Sequence, residues 1–471
     1  MKQLSKSDYL DYRACRHAFW LARHKPDILP RSVPNDFDLM LMQDGYDVEA
    51  VVRDNVQSWP NATTYQFQAT YKTDDGLLVR TDLIRHINDK TIELFEIKSS
   101  TSIRGHLEDA AFQVIAIERS GIAVSKINII HVDKTYVRDG HIDAANLLAV
   151  ADVTDAVREI CPTLEPDINA AQAWVRRAII DENGCDCVYQ GSVPNHCAGF
   201  EYFNPHIPKQ SIYLLPNIRT KRVSGFVDEG RYDLADIEAD EVTPAMLPVL
   251  QAAKAGSPII NKDSIRAFLK QMEFPLYFYD YETFKSAVPI MVGVSPHQQV
   301  PVQVSIHRLD SNGDLNHSEF LANGPGEREK LLHSLRQGIG DSGHCVSWNK
   351  SFEIGCNKGL AKAFPYYAQF LESMNERTID LMEVFKRDYV DIRFKGSTSI
   401  KNVLPIVCPH LSYEGLAVGN GGTAMAAWLS MSRETDPEIK EQKRADLLEY
   451  CKLDTFAMLE IYRFLLKLTQ P

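Results

Sequence analysis

Alternating and periodic apolar residues divide this chain into two stretches of mixed strand and helix. Alternation predicts strands at TYQFQATY, GLLVRTDLIRHI, TIELFEIKSS and KINIIHVDKTYVRDG, with Asn88-Asp89-Lys90 as a turn after the second of them. A helical period predicts helices at LSKSDYLDYRACRHAFWLAR, RGHLEDAAFQVIAIERSG, AANLLAVADVTDAVREIC and INAAQAWVRRAIID. The second of these helices is expected to end at Gly121.

The pattern weakens after residue 205 and resumes near Phe274-Pro275. The intervening segment is rich in turn residues, and SGFVDEGRYDLADI predicts a small hairpin. Beyond it we expect strands at LYFYDYETF, PVQVSIHRL, SEFLA and HCVSWN, a helix at EREKLLHSLRQGI, and mainly helices to the end. The prediction is an α/β chain with one domain at 1–205, a connecting region at 206–272 and a second domain at 273–471.

Composition and charge limit the class of protein. A length of 471 residues is too great for one ordinary core, and 44% hydrophobic with 24% charged residues is typical of a soluble globular protein. The sequence contains no uncharged apolar run of about 18 residues and no apolar signal-peptide core, so we expect a cytoplasmic protein without a membrane partner. The net charge of −12 argues against simple coating of nucleic acid, but metal-binding carboxylates would also contribute such charge.

Acidic residues and one tyrosine recur at informative spacings in the last two hundred residues. Asp280 and Glu282 lie two apart on a predicted strand, so they share a face and repel each other unless a cation lies between them. Tyr450 and Asp454 lie one helical turn apart. Glu353 opens a helix, where a carboxylate is also favoured by the helix dipole alone. Each signal has an ordinary structural explanation, and their combination is what indicates a site.

That combination resembles the DEDD exonuclease superfamily, the proofreading DnaQ-like group with an RNase H-like fold, over residues 274–468. The resemblance implies that Asp280, Glu282, Glu353 and Asp454 bind two Mg²⁺ or Mn²⁺ ions, and that Tyr450 orients or helps to deprotonate the attacking water. The family usually has aspartate where this chain has Glu353. Asp380 is interpreted as structural.

A second acidic cluster lies in the N-terminal stretch. If the turn at Asn88-Asp89-Lys90 has three residues, Asp82 and Glu96 lie opposite each other across a hairpin and Lys98 follows on the same face. This region resembles RecB-like PD-(D/E)xK nucleases, with a restriction-endonuclease-like fold, over residues 1–200. The resemblance implies that Asp82 and Glu96 bind one or two metal ions, that Lys98 is the catalytic lysine, and that Gln113 is the glutamine of the site. An early helix offers Glu49 or Asp47 as a further acid, and the sequence does not choose between them.

Four of the nine cysteines form a pattern of one plus three. Cys15 lies in the first predicted helix, and Cys185, Cys187 and Cys197 lie in a turn-rich loop. Some RecB-like nucleases hold a [4Fe–4S] cluster with this arrangement, which implies the same cofactor here. Zinc is one alternative, with His196 or Cys15 as its fourth ligand, and four free buried thiols are another. Cys161, Cys345, Cys356, Cys408 and Cys451 lie in apolar segments and are expected to be core thiols.

As a whole, the chain resembles an uncharacterised bacterial family that pairs these two domains. The resemblance implies a metal-dependent nuclease, with a 3′–5′ exonuclease fold in its second domain, acting on DNA rather than RNA in DNA processing, repair or defence. Two alternatives remain open: a nucleic-acid-binding protein whose sites are inactive, and an RNA exonuclease, because these motifs do not read the 2′-hydroxyl.

Overall fold

A computed structural model describes residues 3–30 and 32–470, so the outer domain bounds expected at 1 and 471 lie outside the described residues. The strands of the N-terminal part are β1 (Leu4–Ser5), β2 (Tyr65–Phe67), β3 (Thr70–Lys72), β4 (Leu77–Arg80), β5 (Leu83–Asn88), β6 (Thr91–Ile97), β7 (Ala123–Val132) and β8 (Leu148–Asp152). Its helices are α1 (Lys6–Ala14), α2 (Arg16–His24), α3 (Asp36–Val56), α4 (Leu107–Arg119), α5 (Ala144–Leu147) and α6 (Thr154–Arg176).

These strands form a mixed sheet with the order β2-β5-β6-β7-β8, in which β6 and β7 are parallel and the other neighbours are antiparallel. A smaller sheet has the order β1-β4-β3. Helices α4 and α6 pack against each other and against β7. Their apolar side chains join those of α1 and α2 in one core, which includes Leu21, Phe112 and Trp174.

Two predictions for this part and one for the connecting region were wrong in detail. The first helix breaks in two at Cys15, whose backbone is extended and whose sulfur accepts a hydrogen bond from the Ala18 amide. The predicted helix AANLLAVADVTDAVREIC contains strand β8, because Leu148 to Asp152 pair with β7 at the sheet edge. The hairpin expected at SGFVDEGRYDLADI is instead helix α8 (Thr220–Asp228) and a short 3₁₀ turn, since its apolar residues pack into a local core.

The connecting region and the C-terminal part complete the chain. The connecting region holds α7 (Phe200–Phe203), α8, α9 (Leu247–Ala255), β9 (Ile259–Ile260) and α10 (Lys262–Leu269). The later strands are β10 (Leu276–Phe284), β11 (Val300–Leu309), β12 (Leu315–Leu321), β13 (His344–Ser347), β14 (Thr378–Asp380) and β15 (Tyr389–Val390). The later helices are α11 (Arg328–Gly338), α12 (Lys350–Ala363), α13 (Ala368–Glu376), α14 (Met382–Arg387), α15 (Ile400–Val407), α16 (Gly421–Arg433) and α17 (Pro437–Leu468).

Strand β10 is central in the second mixed sheet, whose order is β12-β11-β10-β13-β14. It pairs antiparallel with β11 and parallel with β13. Both faces of β10 are buried: Leu276 and Phe278 pack toward α15 and α17, whereas Tyr277, Tyr279 and Tyr281 pack toward α11, α12 and α13. The alternation of the strand therefore directs Asp280 and Glu282 to the α17 side.

Two segments join the two halves. Helix α3 packs against α16, and the loop between β10 and β11, called here the linking loop (residues 285–299), lies against the N-terminal sheet. The Ala287 amide donates to the Asp44 carboxylate at 3.3 Å, and His297 Nε2 lies 2.6 Å from the Ser99 carbonyl oxygen. Arg138 donates to the Pro289 carbonyl at 2.7 Å. The two halves thus form one α/β assembly, and both hydrogen bonds and apolar contacts join them along a seam.

None of the helices formed by the described residues combines the length and apolar character that a membrane crossing requires.

Candidate metal sites and the cysteine cluster

The acidic residues predicted in the C-terminal half converge on one cavity of about 390 Å³. Asp280 and Glu282 come from β10, Glu353 from the first turn of α12, and Tyr450 and Asp454 from successive turns of α17. The structure brings all five side chains to the wall of this cavity. The strand alternation and the helical spacing therefore predicted their common orientation correctly.

Burial and mutual repulsion raise the pKa values of these carboxyl groups. The pKa of Glu353 is raised to about 8 by burial and by the nearby charge of Asp380, and that of Asp454 is raised to about 6 by burial. Burial and the surrounding carboxylates hold the pKa values of Asp280 and Glu282 well above their usual range. Four carboxyl groups in such a place are stable as anions only with added positive charge.

The residues present fit a divalent metal ion of the Mg²⁺ or Mn²⁺ class. Carboxylate oxygens are the ligands that these ions prefer. Ligand atoms of Asp280, Glu282 and Cys451 lie within 4.8 Å of one another. Glu353 Oε2 is buried and finds no hydrogen-bond partner among the residues that the structure describes, so this oxygen is available to a ligand.

Two polar residues that the sequence patterns did not indicate hold the tyrosine and the last aspartate. Lys401 Nζ donates to Tyr450 Oη at 3.1 Å and to the Gly419 carbonyl at 2.6 Å. Tyr413 donates to Asp454 Oδ1 at 2.6 Å. Burial, followed by the charge of Asp454, raises the pKa of the Tyr450 phenol well above 10. The phenol is therefore a hydrogen-bond donor at neutral pH.

Aromatic side chains form the apolar wall of the same cavity. Trp348 and Phe352 line the cavity together with Glu353, and Phe37 reaches it from α3 in the N-terminal half. The close approach of Phe37 depends on Gly422, where a Cβ atom would lie 3.0 Å from Phe37 Cγ. The N-terminal half thus supplies part of the C-terminal cavity.

Asp380 and Cys451 have structural surroundings, as expected. Asp380 accepts hydrogen bonds from the amides of Asn349, Lys350 and Met382, and so fixes the chain where α12 begins. Cys451 is buried, and its thiol lies 3.9 Å from the Asp280 carbonyl oxygen. The expected core thiol is therefore also a direct neighbour of the acidic site, which the sequence did not indicate.

The N-terminal acidic residues also meet. Leu83 lies opposite Phe95, and this register places Asp82 opposite Glu96. The register shifts between His86 and Asn88, next to the turn. Glu96 Oε1 lies 2.8 Å from Lys98 Nζ, and Gln113 donates to Glu96 Oε2. The predicted group of Asp82, Glu96, Lys98 and Gln113 is thus assembled just before β5, at the end of β6 and on α4.

Two further charged residues belong to this group and were missed. Lys6, in the first turn of α1, lies 2.7 Å from Glu96 Oε1, and Asp109 accepts from Lys98 at 2.6 Å. Burial raises the pKa of Glu96, but the ammonium groups of Lys6 and Lys98 outweigh it and hold that pKa at about 2. Burial and the Glu96 charge raise the pKa of Asp82 to about 7.

Direct contact with Asp82 does not decide whether Glu49 or Asp47 is the further acid on the early helix. Glu49 accepts a hydrogen bond from the Gln68 side-chain amide, and the Gln68 backbone amide donates to the Asp82 carbonyl at 3.2 Å, whereas Asp47 accepts from Gln43. Glu49 is thus the one linked to the strand of the site. Gln113 Oε1 is buried without a hydrogen-bond partner among the described residues, and this free oxygen fits a nearby cation.

The four predicted cysteines form one cluster. The sulfur atoms of Cys15, Cys185, Cys187 and Cys197 all lie within 4.8 Å of one another, and the chain contains no disulfide among its described residues. Cys15 lies at the break between α1 and α2, while the other three lie in the loop after α6. Four thiols from the two ends of one domain are a donor set for zinc or for an iron–sulfur cluster.

The distances between the sulfur atoms are those of a compact site. Cys185 Sγ and Cys197 Sγ are 3.9 Å apart, close to the edge of about 3.8 Å that a tetrahedral zinc site with 2.3 Å bonds requires. A four-iron cluster needs the sulfur atoms to spread further. His196, the alternative zinc ligand, instead stacks on Phe200 with ring centroids 3.6 Å apart, and it is not part of the cluster.

Comparisons with known proteins match only parts of the chain. A family model described as "Domain of unknown function (DUF2779)" matches residues 277–399, a stretch that contains Asp280, Glu282 and Glu353 and ends before Tyr450. No curated protein matches. Four solved chains match; one, titled "Crystal structure of SSO0001", is 12% identical, covers 35% of this chain and 76% of its own, and has a TM-score of 0.20. A likeness at this TM-score carries no inference about function.

Proposed function

We propose that this protein is a metal-dependent nuclease that hydrolyses phosphodiester bonds in DNA, acting as an exonuclease at its C-terminal site. The observation that carries the proposal is the convergence of Asp280, Glu282, Glu353, Asp454 and Tyr450 on one cavity from three separate elements. Their geometry supports the resemblance to DEDD exonucleases. The pairing of Glu96 with Lys98, opposite Asp82, supports the resemblance of the first half to RecB-like nucleases.

The side chains of the C-terminal site suit phosphodiester hydrolysis. Asp280, Glu282, Glu353 and Asp454 would hold divalent metal ions, which activate a water molecule and neutralise charge on the leaving oxygen when bound. Tyr450 remains protonated because it is buried, so its role is to orient the attacking water through a hydrogen bond. The Lys401 ammonium group donates a hydrogen bond to the phenol oxygen and so fixes its position.

The walls of the cavity suit the end of a nucleic acid strand. Bases stack on aromatic side chains without regard to sequence, and Phe37, Trp348 and Phe352 offer such surfaces beside the carboxylates. A cavity of about 390 Å³ has the size of a small-ligand site rather than that of a groove for a long duplex. These features favour the removal of terminal nucleotides.

We also propose that the cysteine cluster holds a structural metal centre. The resemblance implies a [4Fe–4S] cluster, whereas the 3.9 Å distance between two of the sulfur atoms fits a single zinc ion as it stands. Metal analysis of anaerobically purified protein tests the two assignments. About four iron atoms per chain with a brown colour would establish the cluster, and zinc without iron would exclude it.

The test of nuclease function uses end-labelled single- and double-stranded DNA and RNA with Mg²⁺ or Mn²⁺. Variants Asp280→Asn and Asp82→Asn disable the two sites separately and together. Matched controls are Asp263→Asn and Asp152→Asn, whose carboxylates are 92% and 54% exposed. We expect cleavage of DNA that the double variant loses and the controls keep.

Each alternative function predicts a different outcome of this test. Preferential cleavage of RNA would establish an RNA exonuclease. Binding of nucleic acid without any product would establish a binding protein with inactive sites. Full activity in the double variant would refute both assigned sites.

A further inference from the structure

Lys6 is an ammonium group within the N-terminal site that no sequence pattern indicated. Its Nζ lies 2.7 Å from Glu96 Oε1, and its side chain is 23% exposed. We propose that Lys6 is a second phosphate-contacting lysine of this site, which leaves Glu96 when a divalent metal binds and then contacts the scissile phosphate. This inference rests on the proposed function of the N-terminal site.

Glu96 Oε1 has no free position for a metal while Lys6 is in place. Its Oε1 accepts from both Lys6 and Lys98, and its Oε2 accepts from Gln113. A carboxylate oxygen offers about two lone-pair directions, and both directions on Oε1 are used by ammonium groups. A metal ion that binds Glu96 through Oε1 therefore displaces one of the two lysines.

Lys6 is the lysine that is free to leave. Lys98 is also held by Asp109 at 2.6 Å, and its side chain is only 18% exposed. The structure gives Lys6 no second ion-pair partner within residues 3–30 and 32–470. A metal at Glu96 would repel the Lys6 ammonium, while Lys98 keeps the compensating charge of Asp109.

The backbone of Lys6 is anchored, although its side chain is not. Ser5 caps α1 in a reciprocal pair with Asp8, and Leu4 and Ser5 pair with β4. Its Cα is thus fixed beside the site, while its four-carbon stem can rotate. The substrate brings its phosphate, an anion, to the bound metal. The displaced Lys6 ammonium group then contacts this phosphate beside Glu96.

The test uses the full chain with Asp280→Asn as the parent, so that the C-terminal site is disabled. Lys6→Met and Lys6→Arg are compared with Lys126→Met, a control lysine that is 45% exposed and lies 3.4 Å from the exposed Asp152. Mn²⁺ affinity is measured by titration in an electron paramagnetic resonance spectrometer, and cleavage by single turnover on end-labelled DNA. We expect Lys6→Met to bind Mn²⁺ several-fold more tightly and yet to cleave about 10²-fold more slowly, since one fixed donor to a developing charge is lost. Lys6→Arg should keep part of the rate, and the control should match the parent.

The opposite outcomes refute the inference in distinct ways. Equal cleavage by Lys6→Met and the parent would show that Lys6 does not contact the phosphate. Faster cleavage by Lys6→Met would show that Lys6 only excludes metal. Unchanged Mn²⁺ affinity would refute the displacement. A parent that cleaves no DNA would refute the proposed function of the N-terminal site together with this inference, whereas the preceding outcomes refute the inference alone.

Discussion

Replacing Glu353 with glutamine should stabilise the metal-free protein, although the residue is assigned to the catalytic site. The Glu353 side chain is buried, and its Oε2 has no hydrogen-bond partner among the described residues. Burial and the charge of Asp380 raise its pKa to about 8 from the usual 4.5. The folded state thus opposes ionisation of this group, and glutamine has a similar shape without the charge.

The size of the effect follows from the proton linkage. Between pH 4.5 and 8 the folded protein binds a proton at Glu353 that the unfolded chain releases, so the free energy of unfolding decreases as the pH rises through this window. At pH 7 the loss spans about 2.5 pH units at ~1.36 kcal/mol each, or about 3 kcal/mol. Glutamine is itself a buried polar group, so we expect a net gain of about 1–3 kcal/mol, which corresponds to roughly 2–4 °C in Tm per kcal/mol for a domain of this size.

The assay is thermal unfolding in EDTA at pH 5, 7 and 8. Glu353→Gln should melt close to wild type at pH 5 and above it at pH 7 and 8, with Glu372→Gln, at an exposed position on α13, as the control. Added Mn²⁺ should reverse the order, because only the wild type offers that carboxylate to the metal. A difference in Tm that is equal at all three pH values would refute the reasoning.

Three further outcomes are expected. Binding of Mn²⁺ at pH 7 should release protons, because Glu353 and the neighbouring Asp280 have raised pKa values; calorimetry in two buffers of different ionisation enthalpy checks this, and equal heats would contradict it. Tyr450→Phe should slow single-turnover cleavage by roughly 10²-fold while Mn²⁺ affinity stays unchanged, since the lost hydroxyl orients water and accepts from Lys401 but is not assigned as a metal ligand; an unchanged rate would count against the assigned role. Cys185→Ser should lower the metal content of the purified protein and its Tm, while Cys408→Ser, at a buried thiol outside the cluster, should keep the metal; retention of metal in the first variant would exclude that ligand.

The sequence predicted those parts of the sites that depend on local periodicity. The two-residue repeat of β10 placed Asp280 and Glu282 on one face, and the turn of α17 placed Tyr450 beside Asp454. The hairpin register did the same for Asp82 and Glu96. In the first two cases neighbouring residues on one element share a direction, and in the third two adjacent strands pair locally, whatever the rest of the fold does.

The remaining site residues could not be found in this way because their role depends on how distant elements pack. Lys401 lies in the amphipathic helix α15, and Lys6 lies in the polar first turn of α1. Neither lysine stands at a recognisable sequence spacing from the residue that it contacts. Phe37 reaches its cavity only because α3 packs on α16. The break at Cys15 was missed for a related reason, since it serves a cluster completed by residues 170 or more positions later.

The seam formed by α3 and the linking loop makes the two halves dependent on each other. A fragment that began at residue 273 would lose the aromatic wall contributed by Phe37, and it would uncover the apolar surface that Met40 now fills. The linking loop would lose the carboxylate that holds its Ala287 amide. Separation of the two halves should therefore expose apolar surface and leave the C-terminal cavity without one of its aromatic walls.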